Sequence, residues 1–222
     1  MKKIILLGIL LAGIYPGIGY WAGYAQNARE FRTENIGSQE MTVTVDADFP
    51  RAIEYRLGGK SFRGAMSPER QVMVNGKPQP ARIVFRKEGE NRVVYDFTFD
   101  KIELSFSVEL IVRGRVLEGR VNRIKEGQDK LYTLAFPGQQ LLTVAMTDKA
   151  PAYIWCRMIP MKDAPDVYQT LRESSPDGSA RTANYLFLEN GELAAGILSN
   201  VIDERERVAF QAKRIAGNKV CQ

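Results

Sequence analysis

Three residues spaced two apart carry the clearest chemical suggestion in this chain. Tyr153, Trp155 and Arg157 fall in the apolar run Ala152–Met158, and if that run is a strand they share one face, because strand side chains alternate with a period of two. Aromatic faces stack on the C–H faces of a sugar ring, and a guanidinium donates hydrogen bonds to hydroxyls. The pattern therefore suits carbohydrate binding. The plainer alternative is that Trp155 fills a core. Asp46 and Asp48, also two apart, form a pair of the kind used in glycoside hydrolysis or calcium binding, but at a strand end they read as solvated carboxylates. Asp163 and Asp166 flank Pro165 as helix-starting residues, and Asp203, Glu204 and Glu206 alternate with Arg205 and Arg207 as on a solvated edge.

The sequence contains no histidine. That excludes Ser-His-Asp and Cys-His nucleophile systems, His-containing zinc sites, and histidine as a general acid or base. The glycines at 58–59 and 114 stand outside any phosphate-cradling motif. No residue is assigned as catalytic, and no metal or other cofactor is expected. Cys156 and Cys221 could pair in an oxidising compartment, but their spacing does not decide it.

The elements that would hold such residues are strands. Val93, Tyr95, Phe97 and Phe99 alternate with smaller or polar residues, as do Ile102, Leu104, Phe106, Val108, Leu110 and Val112. These are two long strands, each with one buried face, and Asp100-Lys101 between them makes an antiparallel hairpin. Such a ribbon must bury its face against a second sheet. Alternation at Met41–Val45, Ile53–Leu57, Val116–Ile124 and Val208–Ile215 supplies further strands, as do apolar runs at Leu131–Phe136 and Leu141–Met146. Gly58-Gly59, Asn75-Gly76 and Asn190-Gly191 mark turns, the last between Tyr185–Leu188 and Leu193–Leu198. Lys162–Ser174 is expected to be the single short helix, with Pro165 in its first turn. Roughly a dozen strands and one helix describe an all-β fold, a large antiparallel β-sandwich.

At 222 residues, with 45% hydrophobic and 26% charged, the chain suits one large β domain rather than two. Met1-Lys2-Lys3 followed by the apolar run Ile4–Ile14, with small residues at Gly23-Tyr24-Ala25, has the form of a bacterial signal peptide cleaved after Ala25. The rival is an uncleaved anchor, since no charge appears from Ile4 to Ala28; a membrane is a partner only in that case. Residues 1–25 are read as the leader, 26–39 as a linker and 40–222 as the sandwich. The expected location is exported: periplasmic, cell-surface or secreted. The formal charge is +5, two units of it in Lys2 and Lys3, with the remaining signs interspersed; no nucleic-acid surface is expected.

Two stretches carry a family resemblance. The run DFPRAIEYRLGGKSFRG from Asp48 to Gly64, leading to Val72-Met-Val-Asn-Gly-Lys77, resembles the opening of the N-terminal domain of the endo-α-N-acetylgalactosaminidase family of glycoside hydrolases. Gly191-Glu-Leu-Ala-Ala-Gly-Ile-Leu-Ser-Asn200 resembles a later segment of that domain, and the likeness covers about Met41 to Arg214. The resemblance implies a β-supersandwich of the galactose-mutarotase-like type, placed ahead of a (β/α)₈ barrel that carries the nucleophile Asp and the acid/base Glu. The family releases Gal-β1,3-GalNAc from serine or threonine of mucin-type glycoproteins. None of its catalytic residues has a position in this chain, and the barrel is absent from it. Sugar epimerases of similar fold use histidines with a glutamate, which a histidine-free chain cannot supply. The implied function is a non-catalytic module of a mucin-degrading glycosidase, with a mucin-type O-glycan as partner. The alternative is a free-standing exported glycan-binding or cell-surface interaction protein.

Overall fold

The hairpin predicted at Val93–Val112 lies well inside the larger of two facing sheets. The structure, a computed structural model, describes residues 31–144 throughout; outside that span it describes 4–13, 155–157, 168–170, 180–183, 185–198, 210–215 and 218–221. In chain order the strands are β1 (Ile4–Gly13), β2 (Thr33–Gly37), β3 (Met41–Asp46), β4 (Ala52–Leu57), β5 (Lys60–Arg63), β6 (Met73–Val74) and β7 (Lys77–Pro78). They continue as β8 (Ala81–Lys87), β9 (Arg92–Phe99), β10 (Leu104–Arg113), β11 (Val116–Glu126), β12 (Leu134–Ala135) and β13 (Leu142–Val144). The last are β14 (Trp155–Arg157), β15 (Tyr168–Thr170), β16 (Ala180–Ala183), β17 (Tyr185–Glu189), β18 (Leu193–Leu198), β19 (Phe210–Ile215) and β20 (Asn218–Cys221).

Among the described residues the strands fall into a nine-stranded sheet, β15-β14-β17-β18-β1-β11-β10-β9-β8, and an eight-stranded sheet, β16-β19-β20-β13-β5-β4-β3-β2; β12, β6 and β7 form a small third sheet. Pairing is antiparallel throughout. The core-facing sets argued from sequence face the core, but β10 is buried on both faces from Phe106 to Val112, with Ser107, Glu109 and Ile111 covered too. Val93, Tyr95, Phe97, Phe106, Leu110 and Val112 of the large sheet meet Val43, Val45, Tyr55, Phe62 and Leu142 of the other, all buried. Phe97 stacks on Phe106 with centroids 4.8 Å apart, and Phe49 and Phe136 meet it nearly edge-on or tilted at 6.4 and 5.9 Å. This is the all-β sandwich that the patterning requires.

The turns follow their residue types. Gly58 and Gly59 both have positive φ (55° and 79°) between β4 and β5, as do Asn75 and Gly76 (52° and 75°) between β6 and β7; two successive left-handed residues are what a tight hairpin turn demands. The Asn190 carboxamide oxygen accepts the amides of Glu192 and Leu193 at 3.0 and 2.9 Å, fixing the β17–β18 turn. Four residues, not two, join β9 to β10.

Three readings change. Tyr168–Thr170, inside the stretch expected to be helical, is a strand: β15 pairs with β14, so Tyr168 and Thr170 follow their β propensity at a sheet edge. No helix occurs among the described residues. Thr33–Gly37, inside the stretch read as linker, is an edge strand held by burial of Ile36. Ala180–Ala183 and Asn218–Cys221, not read as separate strands, are β16 and β20; both are short, and Ala180–Ala183 lacks an apolar alternation to announce it. Ile4–Gly13, the apolar core of the leader reading, pairs with β11 on one side and β18 on the other. Cys156 lies in the large sheet and Cys221 in the other.

Candidate functional site

Of the three residues singled out for sugar binding, Trp155 and Arg157 lie on β14, two apart as the pattern requires. Tyr153 lies outside the described residues. Register fixes which face they share. Cys156 pairs with Leu186, which is buried in the core, while Trp155 pairs with Phe187 and Arg157 with Tyr185. Phe187, the partner of Trp155, is 44% exposed. The rows extend on both sides. Thr170, Trp155, Phe187 and Gly196 lie abreast, and so do Tyr168, Arg157, Tyr185 and Leu198. Glu189, half-buried, stands two residues beyond Phe187 on the same face. Phe187 lies over Gly196: a Cβ added there would sit 2.7 Å from its ring Cε1. Phe187, Tyr185, Tyr168 and Gly196 neighbour Trp155 and Arg157 only through strand pairing, which local spacing does not reveal.

The acidic pair is a different kind of object from the one its spacing suggests. Asp46 is fully buried and ion-paired to Arg51, also fully buried, at 3.0 Å. Its second oxygen accepts the Asp48 amide at 2.9 Å, and its carbonyl accepts the Tyr95 hydroxyl at 2.7 Å. Arg51 also donates to the Ser67 and Pro68 carbonyls and packs over the Phe49 ring at 4.9 Å. Asp48 is held by Arg32 and Arg70 at 2.7 and 2.8 Å. Burial lowers the pKa of Arg51, with Asp46 opposing that shift. The solvated reading of Asp46 is thus corrected: a carboxylate is tolerated inside because an arginine is buried with it. Every carboxylate oxygen of the pair is directed at an arginine or a backbone amide, an arrangement that ties the 46–51 turn to the 67–70 segment rather than leaving an acid and a base facing a space.

The outer faces of β8 to β11 are a lattice of cross-strand ion pairs. Asp96 accepts the Ser107 hydroxyl at 2.6 Å and pairs with Arg86 at 2.8 Å; Arg92 pairs with Glu109 at 2.6 Å. Burial raises the Asp96 pKa, but the Ser107 and Arg86 hydrogen bonds outweigh it and hold the carboxyl below the usual aspartate value. A cleft of about 800 Å³ opens between the β9–β10 connection and the loop after β11, lined by Asp100, Lys101, Glu103, Lys125, Glu126 and Asp129 among others. Its carboxylates bind the loops to each other: Glu103 accepts the Gln128 amide at 3.0 Å, and Asp129 the Glu103 amide at 2.8 Å. Among the described residues no group of three acidic, cysteine or histidine side chains could hold a metal, and no helix is long and apolar enough to cross a membrane.

Comparison with known proteins agrees with this architecture. The family model described as "Galactose mutarotase-like fold domain" matches residues 36–221. A protein of Renibacterium salmoninarum named as a candidate endo-alpha-N-acetylgalactosaminidase is 30% identical over 115 residues, which is 50% of this chain and 8% of that protein. The chain therefore corresponds to a small part of that relative's length.

Proposed function

We propose that this chain, which belongs to the galactose mutarotase-like fold domain family, is the non-catalytic, carbohydrate-associated sandwich of an exported glycoside hydrolase acting on mucin-type O-glycans. Hydrolysis resides in a barrel outside these 222 residues. The observation that carries the reading is the commitment of Asp46 and Asp48 to Arg51, Arg32 and Arg70. The spacing that could have made a hydrolytic pair serves the fold instead. Similarity to a protein named for endo-alpha-N-acetylgalactosaminidase activity supports the glycoside-hydrolase context.

Purified chain incubated with an O-glycosylated mucin should release no disaccharide above buffer, yet be retained on immobilised mucin. Release of Gal-β1,3-GalNAc by the chain alone would overturn the non-catalytic reading. Failure to be retained would remove the carbohydrate association.

A further inference from the structure

We infer that the cleft between the β9–β10 connection and the loop after β11 is a binding site for an uncharged sugar, with Thr98, Ser105 and Lys125 as its hydrogen-bonding row. The inference rests on the module reading above and names the place where that module would hold glycan.

Strand pairing makes the row. Thr98 of β9 lies opposite Ser105 of β10, and Ser105 lies opposite Lys125 of β11. Paired residues share a face. Leu104 and Phe106, on either side of Ser105, are buried in the core, so the row points outward. All three residues line the cleft. Among the described residues none of their side chains has a hydrogen-bond or ion-pair partner, and the same holds for Asp100 and Lys101 on the cleft wall.

Lys125 reaches this row through a distortion of β11. Ser107 pairs with Asn122, but Ser105 pairs with Lys125, one residue out of step. A regular ladder would set Ile124 opposite Ser105 and leave it on the outer face. The β-bulge turns Ile124 toward the core, against which it packs, and brings Lys125 into the cleft. It requires Arg123 to hold a φ of 51°, in the left-handed region that residues with a Cβ disfavour.

The walls are fixed without a ligand. The Gly127 amide donates to the Glu103 carbonyl at 2.7 Å, the Gln128 amide to the Glu103 carboxylate at 3.0 Å, and the Glu103 amide to Asp129 at 2.8 Å. A Cβ at position 127 would lie 2.6 Å from the Glu103 Cβ, so glycine there lets the two loops meet. The volume of about 800 Å³ between them is that of a small-molecule site, and filling it requires no loop ordering.

Charge narrows the ligand. Four carboxylates line the cleft against two ammonium groups, those of Lys101 and Lys125, an excess that disfavours a phosphate or a sialylated terminus. Glu103, Glu126 and Asp129 already accept backbone amides, which leaves a cation little beyond Asp100 to pair with. Two hydroxyls, two ammonium donors and one open carboxylate match the mixed donors and acceptors of a polyol.

The test measures binding of a Gal-β1,3-GalNAc-threonine glycopeptide to the full 222-residue chain by calorimetry, with the bare peptide and the sialylated glycopeptide alongside. The neutral glycopeptide should bind, and the other two should bind more weakly. Lys125→Met keeps the stem and removes the ammonium group; it should weaken neutral-glycopeptide binding about tenfold, the scale of one hydrogen bond from a charged donor. Thr98→Val combined with Ser105→Ala should weaken it as well. Lys125→Gln, which keeps a donor, should lose less than Lys125→Met. Lys77→Met, at an exposed lysine outside the cleft, should leave binding unchanged. Undiminished binding in both Lys125→Met and the Thr98–Ser105 double variant would overturn the cleft and leave the module reading standing. An equal loss in Lys77→Met and Lys125→Met would do the same. Equal binding of the bare peptide would overturn a sugar ligand, and tighter binding of the sialylated form would overturn an uncharged one. No glycopeptide binding by the wild-type chain would sink the module reading and the cleft together.

Discussion

The ion pair of Asp46 and Arg51 decides more than any other two side chains. Both are removed from water, and an ion left alone in such a place has no solvent to compensate it. Arg51→Ala should therefore destabilise the fold by about 3–5 kcal/mol, read as a shift in the urea midpoint. Asp46→Asn combined with Arg51→Met should cost less than Arg51→Ala alone, since neither partner is then stranded. The tyrosines of the same core set an alkaline limit. Burial raises the Tyr55 and Tyr95 pKa above the ordinary value of 10, and their hydroxyls donate to the Leu141 and Asp46 carbonyls. Below pH 10 both are neutral in either state and their contribution is intact. Above it the unfolded chain ionises first, so stability should fall as pH rises past 10. Denaturation midpoints measured across that range should drop more steeply in wild type than in Tyr55→Phe. Spacing alone read Asp46 as solvated, although Arg51 stands five residues on across a Phe-Pro turn. What spacing could not reveal was that Tyr95, 49 residues on, would close the site over both.

At the level of strands and turns, local chemistry was legible and long-range pairing was not. Gly58-Gly59, Asn75-Gly76 and Asn190-Gly191 each sit where a hairpin reverses, because positive φ is a property of one or two residues. Tyr168–Thr170 was misjudged for the opposite reason. Its apolar spacing permits a helix, and its strand exists through pairing with β14, eleven or more residues earlier. Gly64, directly after β5, shows how closely strands approach here. Its amide donates to the Ile53 carbonyl at 2.8 Å, and a Cβ at this position would fall on the Ala52 carbonyl oxygen. Neither backbone can move without breaking the bond from the Ala65 amide to Ala52 or from the Thr143 hydroxyl to Gly64, both 2.8 Å. Gly64→Ala should lower stability by about 1–3 kcal/mol in the same urea assay.

For the molecule as a whole, β1 joins the start of the chain to strands far downstream. β1 is the proposed leader's apolar segment and also the piece between β11 and β18, where Leu10 faces Val116 on one side and Gly196 on the other. A secretion apparatus reads such a segment while it is accessible, and a completed sheet hides it. Were Ile4–Gly13 a leader, export and folding would compete for one ten-residue stretch. β1's partners lie more than a hundred residues downstream in sequence, and sheets assembled from such distant strands form slowly. Until both partners have been made, β1 stays without its sheet neighbours on the emerging chain.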